Sequence, residues 1–170
     1  DILKNIKGLE CDFTAVASSL KDALDYFEGS IVDRTRDSVT YKFLTRVGGN
    51  LFLNHITTLS GLNALTHIGG DASFLATSTL DGLNSLKHIG GYAEFGELTT
   101  LNGLNSLTYI GGDADFSGLT TLGGLNALTH IGGEADFKRL TIIEGLNALT
   151  YIGGDANFPS VKTIIGLHNL

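Results

Sequence analysis

Acidic side chains recur at two fixed positions of a short motif in this 170-residue chain. In "GGDADF" the two acids are Asp113 and Asp115, and in "GGEADF" they are Glu134 and Asp136. An alanine separates the acids and a phenylalanine follows them, so polar and apolar side chains alternate as on a half-buried strand. The alternation predicts that the acids point outward from a β-strand and that the alanine and phenylalanine point inward.

Aligned copies of the motif place the outward residues in two columns. The first column reads Asn50, Asp71, Tyr92, Asp113, Glu134 and Asp155, and the second reads Phe52, Ser73, Glu94, Asp115, Asp136 and Asn157. Like charges directly opposite one another in a sheet are destabilising, so a cation or a basic partner is one reason for this arrangement. The alternative is that solvated acids keep a glycine-rich chain with exposed strand edges soluble. The candidate partner-binding residues are Tyr92, Glu94, Asp113, Asp115, Glu134, Asp136, Asp155 and Asn157.

The same acids do not suggest an enzyme. They are copies of one another, whereas acid–base catalysis needs an acid and a base held in different environments. No Ser/His/Asp order, nucleophile elbow or metal-ligand motif stands out, so the sequence predicts a non-enzymatic protein without a cofactor. The EF-hand pattern Asp-x-Asp-x-Asn-Gly is also missing, and Ca²⁺ binding to the acidic columns stays an open alternative.

Planar side chains form a third column, which contains Arg46, His67, His88, Tyr109, His130 and Tyr151. Imidazoles at strand spacing are a candidate site for Zn, Cu or Ni. However, Tyr and Arg interrupt the column, and no Cys or Asp stands at ligand spacing. We therefore predict that these side chains stack along a solvent-facing edge and hold no metal.

An internal repeat of 21 residues sets the positions of all these columns. Each repeat begins at an apolar anchor that is followed by Gly-Gly, namely Val47, Ile68, Ile89, Ile110, Ile131 and Ile152. We refer to 47–67, 68–88, 89–109, 110–130, 131–151 and 152–170 as coils 1 to 6. A single coil cannot bury its apolar edge, but stacked coils share a continuous core and a parallel sheet with strands about 4.8 Å apart.

The coils resemble leucine-rich repeats of the receptor L-domain variety. In "LTYIGGDADF" (107–116) an Ile-x-Gly signal introduces the strand, and apolar residues then recur at every third position, from Phe116 through Leu119 to Leu128. The repeats are also similar to those of BspA-like bacterial surface proteins. Over 47–170 the resemblance implies a leucine-rich-repeat-like solenoid with one short strand per unit, and it favours an extracellular or cell-surface location. It implies no particular function, because such repeats serve many unrelated binding roles.

Residues 1–46 differ from the repeats, and we predict that they form a capping segment ahead of the 47–170 solenoid. In "FTAVASSLKDALDYFEG" (13–29) the apolar residues Val16, Leu20, Leu24 and Phe27 lie on one face of a helix. An amphipathic helix there would cover the apolar core of the first coil, as the terminal caps of repeat proteins do.

The charge distribution limits the partners. Residues 47–170 carry 4 basic and 10 acidic side chains, which argues against nucleic acid and against an anionic membrane surface. No apolar run approaches the ~18 residues of a membrane span, so no membrane insertion is predicted.

Threonine and asparagine supply two further columns. Thr99-Thr100 and Thr120-Thr121 belong to a threonine pattern like that of ice-binding surfaces, although those usually space two outward threonines two apart. An asparagine column contains Asn63, Asn84, Asn105, Asn126 and Asn147. We predict that it forms a ladder of hydrogen-bonded amides.

The C-terminal coil ends on "IIGLHNL", with no polar cap after it. Leu167 and Leu170 would then lie at an open end, which we expect further chain or a second copy to cover. Two such ends meeting would give a two-fold homodimer.

The favoured function is therefore a non-enzymatic interaction module. It would bind a protein or a glycan through the acidic outward face of its strands. A structural or self-assembling solenoid of a surface fibre is the alternative, and an ice-binding surface is a lesser one.

Overall fold

The structure is a computed structural model that describes residues 10–12, 26–27, 29–32, 41, 43–56, 59, 61–77 and 79–170. These residues form a parallel β-solenoid of about six turns, and no helix occurs among them. The solenoid and its parallel sheets are as the repeat predicts.

One long sheet contains the Ala-x-Phe motif, and we call it the Ala sheet. Its neighbouring strands, in spatial order, are β1 (Glu10–Asp12), β3 (Ser30–Val32), β5 (Leu51–Phe52), β7 (Ala72–Ser73), β9 (Ala93–Glu94), β11 (Ala114–Asp115), β13 (Ala135–Asp136) and β16 (Ala156–Asn157). Every pair of neighbours is parallel, and partners in successive coils are 21 residues apart, as in Ala114 and Ala135. The sheet therefore stacks identical positions of the repeat on one another.

A second long sheet contains the anchor residues, and we call it the anchor sheet. Its strands are β2 (Tyr26–Phe27), β4 (Arg46–Val47), β6 (His67–Ile68), β8 (His88–Ile89), β10 (Tyr109–Ile110), β12 (His130–Ile131) and β15 (Tyr151–Ile152). The chain between each Ala-sheet strand and the next anchor, for example 117–130, forms what we call the return side. There a two-stranded ribbon pairs β14 (Ile142–Gly145) with β17 (Thr163–Gly166).

Each repeat thus contributes short strands to both long sheets, coils 5 and 6 each add a third strand, and the prediction of one strand per unit is wrong. The Gly-Gly pair separates the two strands, as between β10 and β11. A Cβ atom added to Gly111 would overlap the carbonyl oxygen of Gly90 in the coil before it. Glycine therefore lets neighbouring coils approach closely where the chain passes from one sheet to the other.

The core lies inside the coils and contains the side chains predicted to point inward. Ala72, Phe74, Ala93, Phe95, Ala114, Phe116, Ala135 and Phe137 are all buried. Their phenylalanine rings stack from coil to coil, with ring centroids 5.0 Å apart between Phe116 and Phe137. The step-of-three leucines, such as Leu119 and Leu128, are buried in the same core.

Coil 6 departs from this pattern. Ala156 is exposed and Phe158 is only partly buried, so the prediction that both are buried is wrong. The reason is positional, because Phe158 stacks on Phe137 on one side and no described coil lies on the other.

The two sheets extend into the residues before 47. Strand β3 pairs with β5, and β2 pairs with β4. Most of the helix predicted for 13–29 lies outside the described residues. Tyr26 and Phe27 near its end form strand β2, so the helix prediction fails there.

Candidate partner-binding surface

The acidic residues lie together on the outer side of the Ala sheet, in two rows that run from coil to coil. The inner neighbours Ala114 and Phe116 are buried, while Asp113 is exposed and Asp115 is half-buried. The alternation predicted from the sequence is therefore present. We call this surface, formed by Tyr92, Glu94, Asp113, Asp115, Glu134, Asp136, Asp155 and Asn157, the acidic face.

The second row lies on the strands themselves, in strict register. Asp115 is the direct partner of Glu94 on one side and of Asp136 on the other. At the N-terminal end of the row, the Ser73 hydroxyl donates a hydrogen bond of 2.5 Å to Glu94. At the other end, Asn157 Nδ2 donates to Asp136 Oδ1 at 3.3 Å. Hydrogen-bond donors thus flank three carboxylates that face one another across the sheet.

The first row has a structural role that sequence reasoning missed. Asp71 Oδ1 accepts a hydrogen bond of 2.8 Å from the backbone N–H of Tyr92, one coil further on. Asp113 accepts the same bond from Glu134, and Asn50 accepts it from Asp71. The short acid or amide at this position therefore satisfies a backbone donor of the next coil. The sequence signal for this role is that a short acid or amide recurs directly after Gly-Gly at a 21-residue spacing.

Tyr92 lies among these acids, and their negative charge affects the pKa of its phenol. Burial, followed by the negative charges of Asp115, Glu94 and Asp113, raises the pKa of its phenol to about 12. No Lys or Arg within the described part of the chain forms an ion pair with the acidic face. The surface therefore carries negative charge that no ion pair with a described Lys or Arg compensates.

The planar column on the anchor sheet stacks as predicted. The ring centroids of His88 and Tyr109 are 4.6 Å apart and their planes differ by 1°. The rings from Tyr109 through His130 to Tyr151 continue the stack, with centroids 4.5 to 4.7 Å apart. Only His67 tilts, by 31° relative to His88.

This stacking is unsuited to a shared metal ion. Tyr109 lies between His88 and His130 in the stack, so only His67 and His88 are adjacent imidazoles, and two nitrogens are fewer than the three or four protein ligands of a zinc site. Among the residues that the structure describes, no group of three or more His, Cys, Asp or Glu side chains is arranged to hold a metal ion.

His88 is the member of the column with a perturbed pKa. Burial is the main cause that lowers the pKa of its imidazole, and the neighbouring charges of His67 and Arg46 lower it further. The stack is therefore most compatible with a neutral His88.

The threonine and asparagine columns lie on the return side. Thr99, Thr100, Thr120 and Thr121 are all exposed, so both members of a threonine pair reach solvent. Asn84, Asn105 and Asn126 are exposed and form no hydrogen bond with one another in the described structure. The predicted amide ladder is therefore absent across Asn84, Asn105 and Asn126, because these side chains leave the coil at a turn and reach water.

The chain matches no protein-family model, and no curated protein or solved structure is significantly similar to it. No helix in the described ranges is long and apolar enough to cross a membrane.

Proposed function

We propose that the protein is a non-enzymatic interaction module whose acidic face binds a cationic region of a protein or glycan partner. The observation that carries the proposal is the register of Glu94, Asp115 and Asp136 on three adjacent strands. Like charges so placed oppose folding of the sheet, and a bound cationic group would offset this repulsion.

The two outward rows have different roles under this proposal. Asp71 and Asp113 hold neighbouring coils together through backbone N–H groups. In the second row, Asp136 bonds only to the amide of Asn157, and its charge remains available to a partner. We also propose that the coils are related to leucine-rich repeats, and this rests only on the 21-residue period and on the leucines at every third position.

A pull-down with the intact chain tests this function. Wild type, D115K/D136K and a matched control, D81K/E97K, would each be used as bait in extracts of the cells that make the protein. Asp81 and Glu97 are exposed acids in turns outside the two rows. Partners retained by wild type and the control but lost by D115K/D136K support the proposal. Identical capture by all three baits, or no capture by any, contradicts it.

The second candidate function, self-assembly, is favoured by the free side of coil 6. Ile143 and Ile164 are register partners in the return-side ribbon, yet Ile143 is 1% exposed and Ile164 is 61% exposed. Strands β15, β16 and β17 are also edge strands of their sheets. We propose that a second copy covers this side through its own coil 6. A following coil in a longer chain would use the same surface.

Light scattering tests self-assembly. A dimer that dissociates on dilution and is lost in I164K supports it, because a charge at the centre of the contact would oppose pairing. A strict monomer at high protein concentration contradicts it.

A further inference from the structure

The return side of the solenoid changes its backbone conformation between coil 4 and coil 5. In coils 2 to 4 the turn has one residue with positive φ, as at Gly124 with φ 98°. In coils 5 and 6 two successive residues have positive φ, as at Gly145 with 109° and Leu146 with 50°. A positive φ is strained for a leucine. Residues with such strained backbone conformations often cluster at functional sites.

The change opens a gap between the two coils. An added Cβ at Gly124 would overlap the carbonyl oxygen of Leu101, whereas one at Gly145 would lie 3.5 Å from the equivalent oxygen of Leu122. Strand β14 pairs only with β17, on its far side. No hydrogen bond joins 120–126 to 141–147, two segments that the structure describes completely.

The gap leads into an open groove of about 610 Å³, a size typical of small-ligand sites, which span ~300–1,000 Å³. Coil 4 and coil 5 both supply polar side chains to its walls, namely Thr120, Thr121, Asn126, Thr141, Glu144 and Asn147. Ile142 also lines it and is 46% exposed, which leaves an apolar surface beside the polar groups.

The lining selects against anionic ligands. No Lys, Arg or His lines the groove, so phosphates and other anions lack a counter-charge. Threonine hydroxyls and asparagine amides both donate and accept hydrogen bonds, and Glu144 accepts them. This mixture matches a ligand whose hydroxyl groups do the same, and Ile142 offers contact to an apolar face of that ligand.

We propose that this groove binds a neutral saccharide. Hydroxyls of the sugar would bond to Thr121 and Asn126 on one wall and to Glu144 on the other. No residue of the acidic face lines the groove, so the proposal is independent of the partner-binding function proposed above.

Isothermal titration with neutral sugars tests the proposal on the full chain. The probes are glucose, galactose, mannose, N-acetylglucosamine and maltose, and we expect at least one of them to bind with Kd on the order of 1 mM or tighter. In T121V/N126A we expect that affinity to fall about tenfold or more, because two hydrogen bonds to the ligand are lost.

The chain offers a matched control one coil earlier. T100V/N105A makes the same changes at the same repeat positions in coil 3, outside the groove, and should bind like wild type. Circular dichroism would show that both variants fold. The proposal is overturned if none of the sugars binds, if a short peptide binds there but no sugar does, or if the two variants lose affinity equally.

Discussion

Asp115 and Asp136 are direct register partners on adjacent parallel strands of the Ala sheet, and both side chains are half-buried on its outer side. Asp115 Oδ1 accepts a hydrogen bond of 2.8 Å from the backbone N–H of Ser117, and Asp136 bonds to the amide of Asn157. Neither contact neutralises a carboxylate. Two negative charges therefore face each other at strand spacing.

We expect salt and divalent cations to stabilise the fold, because they screen or bind these charges. Melting temperatures should rise with NaCl and rise further with Ca²⁺ at equal ionic strength. D115N/D136N should melt higher than wild type at low salt and respond less to salt, since asparagine keeps the acceptor oxygen but not the charge. If the melting curves of wild type do not change with salt or Ca²⁺, repulsion between these acids is not significant. The alternative, that the acids only keep the chain soluble, would then stand.

The first outward row, which begins at Asn50 and Asp71 ahead of the acidic face, should matter for stability through its hydrogen bonds rather than its charge. D71A removes the acceptor for the Tyr92 N–H and should lower the free energy of unfolding by roughly 1 kcal/mol. D71N should be close to wild type, because Asn50 makes the same contact in the preceding coil. Urea unfolding of the two variants checks this, and equal losses in both would refute the role of the acceptor.

The phenylalanine stack should show the difference between an inner coil and coil 6. F116A should cost roughly 3–5 kcal/mol, because the ring is fully buried and its removal leaves a cavity. F158A should cost clearly less, since Phe158 is only partly buried. Denaturant unfolding measures both values, and a larger loss in F158A would contradict the burial pattern.

Stability should fall in mild acid because of His88. Its pKa in the folded state is lowered from 6.5 by burial and by the charges of His67 and Arg46, so the unfolded state binds the proton more readily. The stabilising contribution is complete above pH ~6.5. It is lost as the pH falls below that value, and it stops changing below the lowered pKa.

Thermal melts between pH 7.5 and 5 would check this prediction. H88Y places at position 88 the residue that the repeat itself uses at Tyr109 and Tyr151, so stacking is retained while the titrating group is lost. Its melting temperature should depend less on pH than that of wild type. An unchanged slope would show that other groups control the acid response.

The inner surface of the Ala sheet could be predicted from sequence because its signal repeats. Phe116 and its counterparts recur every 21 residues beside alanine, and alternation then fixes which side chains face inward. The anchor sheet was missed because the residues two positions from Ile110 are Thr108 and Gly112, so no second apolar side chain marks an alternating strand there.

The acidic columns themselves could be predicted, but the use of Asp71 as a backbone acceptor could not. That contact depends on how coils stack at Gly-Gly, which no single strand reveals. The groove is harder still, because coils 4 and 5 differ there only by "TTLGG" against "TIIEG". The groove opens where Leu146 adopts a positive φ, and a leucine in the sequence does not predict that conformation.

Mapping of backbone amide shifts by NMR, with the captured partner titrated into the labelled chain, tests the proposed binding surface most directly. We expect the largest changes at 92–94, 113–115 and 134–136, and we expect D115K/D136K to abolish them while D81K/E97K does not. Changes confined to the anchor sheet or to coil 6, with the acidic face unperturbed, would contradict it.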